Sequence, residues 1–387
     1  MTDVSLHGTF YYQKYKNFYI FNMKFKHLLN ISLAMAAAAS FTACSDADDP
    51  KPVIDPDVTS GLYVICLGNF GSANSSITFY DPETNVYAGE VFVNTNKIPL
   101  GELAQSMTID GDDAWIVVNN SHVVYKTDAD DLELEGSITE GLTSPRYFKN
   151  VGANKAYITQ LYSNRIAIVD TKNLKVTGYI EVPGMDVATG STEMMVQHGK
   201  YVYVNCWSYQ KSVIRIDTTT DKVDASLEVG LQPKSMVMDK NHDLWILTDG
   251  SYEGSPVGHE APRLVKVTTA DFKVAATYEM TLNDYTPALA INGSGDRLYF
   301  IRNDVYTMSI TDTALPAEPL IDCKGNYYYG LTVDPVRSDI YIADAIDYVQ
   351  PGRVLRYNSK GELTQSFATG VSPQAFCWYD PSAINAK

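Results

Sequence analysis

From Gly61 onward the chain alternates apolar and polar residues in short bursts, each a few residues long and each closed by a turn signal. GLYVICLG, KAYITQLY and KYVYVNCW are typical. Alternation with period two, carried by Val, Ile, Thr and Tyr, predicts β-strands that bury a face. The bursts recur as one phrase: a strand, a turn, a second strand, a loop, a strand ending in a polar residue, a short turn and a last strand. The residue that ends each third strand is in turn Asp81, Thr127, Asp170, Asp217, Thr268, Ser309 and Asn358, at spacings of 46, 43, 47, 51, 41 and 49 residues. A period of about 40 to 50 residues with four short strands per unit predicts a β-propeller, because a single unit cannot bury both of its faces alone. Seven copies exhaust the chain, so the expected fold is all-β with seven blades. The first phrase opens on its second strand (GLYVICLG), and the chain ends on a lone first strand (GVSPQAFCWY). The C-terminal strand is therefore expected to complete the first blade and remove the open edge.

Strand parity separates two faces. With strands A to D in each blade, the A–B and C–D turns share one side, and the B–C loops and D–A crossings share the other. The A–B turns are short, polar and free of aromatics, as in DGDD (110–113), GANK (152–155) and GSGD (293–296). The B–C loops and A-strand openings are aromatic: Phe70, Tyr162, Trp207 with Tyr209, Tyr252, Tyr285, Tyr328 within NYYYG, and Tyr348. Between them fall Asn119, Asn120, Arg146, Glu193, Lys234 and Gln374. In strands an aromatic is more often core than contact, but in loops it is available to a ligand. A tyrosine-rich ring interspersed with amides and two cations suits a large, flat, partly apolar ligand with many hydrogen-bonding groups. The insertion GSYEGSPVGHEAPR (250–263) interrupts the fifth blade between strands B and C and is expected to project from this decorated face.

Upstream the pattern changes. Lys24, Lys26 and His27 precede an apolar run from Leu28 to Ser40, too short to span a bilayer but of secretory length. Cys44 follows Thr42 and Ala43, and Asp46, Asp48 and Asp49 follow it. Residues 1–43 are read as a leader and lipoprotein signal peptide, with 1–22 preceding a better-formed start at Met23, 44–59 as an acidic linker, and 60–380 as the propeller. The Thr-Ala-Cys junction resembles the lipobox of bacterial lipoproteins, which implies lipidation of Cys44. The acidic stretch is similar to the export signal of Bacteroidetes lipoproteins, which implies an outer-membrane anchor facing the cell exterior.

Loss of the leader removes four Lys/Arg and one Asp, leaving 26 basic and 45 acidic side chains and a net charge of −19. Such a surface repels phosphate backbones, which makes a nucleic-acid partner a poor expectation. Cys66, Cys206, Cys323 and Cys377 show no metal-ligand spacing, so no metal site is expected. Buried free thiols are the default, although Cys66 and Cys377 fall in adjacent strands, where a cross-strand bridge is the alternative.

The openings TSPRYFKN, LQPKSMVMD and VSPQAFCWY and the endings IAIVDT and VIRIDT resemble the YncE-type seven-bladed propellers. With the lipoprotein context and the loop aromatics, the chain is similar to the BtuG family of surface vitamin B12-binding lipoproteins. That resemblance implies capture of cobalamin or another corrinoid, and delivery to a TonB-dependent outer-membrane transporter of the BtuB type. No cofactor and no covalent chemistry are expected, and the chain is read as a non-enzyme. A glycan-binding or adhesion propeller is the alternative. A lactonase would gather several carboxylates at the channel mouth, where only Glu193 starts an A strand, and a quinoprotein would show Trp-rich repeats that four Trp do not form. His122 is the histidine placed in a B–C loop.

Overall fold

The computed structural model describes residues 61–380, so the leader, Cys44 and the acidic linker lie outside the described residues. Seven antiparallel sheets form a ring of blades. Blade 1 consists of β27 (Pro373–Tyr379), β1 (Gly61–Cys66), β2 (Ser76–Tyr80) and β3 (Tyr87–Ala88), so the C-terminal strand completes it. Blades 2 to 5 are β4–β7 (104–138), β8–β11 (145–181), β12–β15 (191–228) and β16–β19 (233–279). Blade 6 has three strands, β20–β22 (289–309), and blade 7 is β23–β26 (328–371). The first strand of each blade touches the first strands of its two neighbours, which closes an inner ring from β27 through β4, β8, β12, β16, β20 and β23 back to β27.

Each of the seven blade interfaces holds its own apolar cluster, from Tyr63, Ile65 and Met107 between blades 1 and 2 round to Val64, Cys66, Tyr341 and Phe367 between blades 7 and 1. A short helix, α1 (Val91–Asn96), adds Val91 and Phe92 to the first of these. Aromatic stacking strengthens the interfaces. Trp115 lies on Phe148 with centroids 4.3 Å apart and planes 7° apart, an arrangement worth about 0.5–1.5 kcal/mol beyond area burial.

At the closing seam, Tyr80 stacks on Phe367 at 4.2 Å. There Arg356 donates to Asp339, the Tyr80 hydroxyl, the Pro82 carbonyl and the Asn85 amide oxygen at 2.8–3.1 Å.

The repeat marker has a local cause. Asp81, Asp170, Asp217 and Asn358 each accept a backbone N–H two residues on, at 2.7–3.0 Å. This side-chain turn ends the third strand and sets the hairpin that follows.

The sequence predicts four strands in every blade, and blade 6 departs from this. Residues 310–327 contain Pro316 and Pro319, which cannot donate to a ladder, and only the Val305–Ile321 bridge touches the outer edge of β22 (Asp304–Ser309). Cys66 and Cys377 are both free. Cys66 pairs with Pro373 and Cys377 with Tyr63, and the two thiols point into the clusters on opposite sides of blade 1, so the cross-strand bridge is ruled out.

Candidate functional site

Six blades carry a β-bulge at the same place, the opening of the innermost strand. In β4 (Ala104–Asp110), Ala104 faces Val118 and Ser106 faces Val117, which leaves Gln105 as the extra residue. Equivalent register shifts place Arg146 and Tyr147 in β8 (Pro145–Gly152), Glu193 and Met194 in β12 (Ser191–His198), Lys234 in β16 (Pro233–Met238), Tyr329 in β23 (Tyr328–Val333) and Gln374 in β27. A bulge turns one residue out of the ladder and re-aims its side chain. Pro145, Pro233 and Pro373 stand just before the displaced residue and cannot extend the ladder backward. The carbonyls of Pro145 and Pro233 accept amide donors from the preceding blades, Asn119 at 3.1 Å and Asn205 at 2.6 Å. The bulged strand starts are thereby fixed by their neighbours.

The bulges bring Arg146, Glu193 and Lys234 together around the axis, and Asp249, which follows β17 (Leu244–Thr248), adds a fourth charge. Arg146 Nε donates to both oxygens of Glu193 at 2.9 Å, and its Nη1 donates to Gln105 Oε1 at 2.6 Å. The Ser191 hydroxyl also donates to Glu193. Lys234 Nζ lies 3.6 Å from Asp249 Oδ2, the oxygen that accepts the Trp207 indole N–H at 2.9 Å. Burial opposes both positive charges, but the neighbouring carboxylates outweigh it and hold Arg146 and Lys234 above their ordinary pKa. Burial raises Asp249, with Lys234 and Trp207 pulling it partly back. Burial and the Glu193 charge push the Tyr147 hydroxyl up to about 12. The Tyr329 hydroxyl, from the far side of the ring, lies within electrostatic reach of Arg146, Tyr147 and Lys234.

Around this centre stand the loop aromatics. Phe70 is 51% and Tyr162 38% exposed. Tyr162, Tyr209 and Tyr348 have φ of 56°, 66° and 61°. Bulky residues rarely adopt this left-handed backbone, so each position holds strain that the surrounding loop must maintain. Tyr348 meets Tyr327 and Tyr329 edge-on, at 6.2 and 5.2 Å, which joins the loop ring to the bulge ring.

The 250–262 loop joins β17 (Leu244–Thr248) to β18 (Arg263–Thr268), so it projects from the decorated face as expected. It is pinned by Glu260, which accepts the Leu231 N–H and pairs with Lys211 and Arg263. Tyr252 begins that loop, and Tyr285, whose N–H bonds the Asn303 side chain, ends the crossing into blade 6.

Two residues expected at the surface are elsewhere. Asn119 is 5% exposed, with its amide bonded to Pro145. Tyr328 is 2% exposed, with its hydroxyl paired to that of Tyr357, and Tyr329 holds the inner position instead. His122 accepts the Ser144 N–H through Nδ1 and caps the start of blade 3. Gln374 sits where blades 7 and 1 nearly touch: a Cβ at Gly330 would lie 2.1 Å from its carbonyl oxygen.

Sequence reading missed Gln105, Tyr147, Ser191 and Asp249, and within the NYYYG stretch it chose Tyr328 where Tyr329 takes the inner position. The SP opening before Arg146 was a signal for its neighbour Tyr147, whereas Gln105, Ser191 and Asp249 have no such dipeptide before them.

The loop face also carries exposed aliphatic side chains spread around its rim, among them Val187, Val257, Leu282 and Val349, whereas the turn face shows Val86 and Val336. Two cavities lie away from the charged centre. One, of about 510 Å³, opens on the turn face beside Asp110, Asn150 and Gln197. The other, of about 540 Å³, lies between blades 6 and 7 where the fourth strand is missing.

Fold and site together define a seven-bladed propeller with its loop aromatics and its charged centre on one face. Residues 60–371 match the family described as Domain of unknown function (DUF5074), and the chain belongs to that family. No curated protein matches it. Among solved structures it is similar to the periplasmic gluconolactonase of Pseudomonas aeruginosa, at 11% identity and TM-score 0.63, covering 82% of this chain and 99% of that one. It is also similar to a quinonprotein alcohol dehydrogenase-like protein from Bacteroides thetaiotaomicron, at 14% identity and TM-score 0.61, covering 82% and 78%. At these identities the likeness is one of fold.

Proposed function

We propose that this protein is a lipid-anchored surface protein of the outer membrane that captures cobalamin or another corrinoid on its loop face and passes it to a TonB-dependent transporter of the BtuB type. The observation that carries the reading is the coincidence, on one face, of a strained aromatic ring and a polar centre of balanced charge. A corrin is a broad ring with apolar edges for the tyrosines and peripheral amides for Gln374 and backbone groups. Loops held by rigid blades spend little entropy on capture. The rim of aliphatic side chains gives a partner apolar surface to dock on without covering the centre.

No covalent step is needed. Glu193 is engaged by Arg146 and Ser191, and Asp249 by Trp207, so neither carboxylate is arranged as a metal ligand or a general base. The resemblance to the BtuG lipoproteins supports the same assignment, as does the lipobox-like stretch at Cys44.

The test is co-elution. The mature chain is mixed with cyanocobalamin, passed over a desalting column and read in the visible region. The protein fraction is expected to be red, and pale when Tyr162 and Trp207 are replaced by alanine. A colourless wild-type fraction overturns the corrinoid assignment and favours the glycan reading, which an array of oligosaccharides then tests.

A further inference from the structure

The two cations at the centre differ in what they have left to offer. Arg146 is committed: its Nε bonds both Glu193 oxygens and its Nη1 bonds Gln105, which fixes the guanidinium, and its side chain is 16% exposed. Drawing it toward a ligand would strand Glu193, whose side chain is 5% exposed. Lys234 differs on each point. Its ammonium lies 3.6 Å from Asp249, beyond hydrogen-bond distance, and that carboxylate oxygen already accepts the Trp207 indole. Its side chain keeps 30% exposure although Arg146, Glu193, Asp249 and Tyr329 all act on its charge. Trp207 thus holds Asp249 near enough to keep Lys234 cationic and too far to consume its donors.

We infer that Lys234 is an anion subsite, and that it takes one singly charged oxyanion. The charge count sets the class. Two cations face two carboxylates, so the centre is neutral, and one added negative charge meets the ammonium while a second would be repelled by Glu193 and Asp249. A lysine acts as a point charge with three rotatable donors and suits such a group without demanding bidentate geometry. The identity of the bound molecule rests on the capture reading, in which this oxyanion is the phosphodiester of the corrinoid's nucleotide loop; the subsite itself does not. Trp207 is a positioning residue, acting through Asp249.

The experiment compares cyanocobalamin with dicyanocobinamide, which lacks the phosphodiester, by titration calorimetry. Wild-type protein is expected to prefer the former by about tenfold, roughly the worth of one charge-assisted hydrogen bond. Lys234→Gln is expected to bring the ratio close to one. Lys240→Gln, at a lysine paired with Asp296 on the turn face, leaves it unchanged. A ratio that survives in Lys234→Gln overturns the assignment.

Should neither corrinoid bind the wild type, the capture reading fails by itself. The subsite is then judged with dimethyl phosphate alone, read by the fluorescence of Trp207 and assigned by its loss in Trp207→Phe. A saturable change that disappears in Lys234→Gln upholds it, and no change overturns it.

Discussion

On the turn face, Asp217, Asp239, Asn292 and Asp334 spend their side-chain oxygens on backbone N–H groups two to five residues further on. Across the ring, on the loop face, Tyr162, Tyr209 and Tyr348 hold left-handed backbone under large side chains, and Asp249 is buried against a lysine it does not hydrogen-bond in full. Both faces come from the same repeats. The turn face caps its hairpins and contributes stability, although Leu132, Leu174 and Phe272 hold left-handed backbone there too, whereas the loop face adds exposed aromatic surface and unspent donors, as a surface built to bind does. The contrast follows from chain direction: short hairpins need only a capped turn, while B–C loops are long enough to differ from blade to blade.

The comparison can be broken most forcefully at Asp239, whose side chain is fully buried and accepts from Asn241, Asp243 and the Trp245 indole at 2.8–3.0 Å. Asp239→Ala is expected to cost about 2–3 kcal/mol of stability, since it leaves buried donors unpaired. Urea denaturation gives the loss, and corrinoid binding to the surviving folded protein should be unchanged.

The reverse outcome is expected at Tyr162. Tyr162→Asn tolerates the left-handed backbone better, so stability should change by less than about 1 kcal/mol while corrinoid affinity falls about tenfold. A large loss of stability at this position, with binding intact, would make the loop face structural.

The smallest effect concerns pH. Lys200 and Thr219 hold Asp217 down to about 2, and Asn292 and Ser294 do the same for Asp296, from an ordinary value of 3.8. The stability these turn-face carboxylates contribute is complete above about pH 4 and is lost as pH falls toward 2. Burial raises Asp249 on the loop face, so its effect has the opposite sign: the cost of its charge diminishes as it protonates. Asp217→Asn should flatten the acid limb of a plot of melting temperature against pH, and Asp249→Asn should leave that limb in place.

Much of this was legible in the sequence because it is local. The turn-capping residue that closes each third strand gave the period, and its two exceptions are instructive: in blade 2 the marker Thr127 is followed by Asp128, which accepts the Asp130 N–H, and in blade 5 Thr268 donates its hydroxyl to Asp271 instead. The loop-face aromatics were legible because B–C loops differ in composition from A–B turns. What could not be read was non-local or depended on register. A bulge adds a residue and shifts the alternation by one at a point the sequence does not mark, so Tyr329, not Tyr328, takes the inner position. Asn119 looked like an exposed loop amide, but its partner carbonyl, at Pro145, belongs to the next blade. The pairing of Arg146 with Glu193 spans 47 residues and commits that cation to a carboxylate of the next blade.

The most direct test of the account is hydrogen exchange with and without cyanocobalamin, read by mass spectrometry across the whole chain. Added protection is expected in the loop-face segments that hold Tyr162, Trp207 with Tyr209, Asp249 with Tyr252, and Tyr348, with no change in the turns at 111–112, 199–200 and 239–243. Protection confined to the turn face, or none at saturating ligand, would contradict the claim that the strained aromatic face is where this propeller binds.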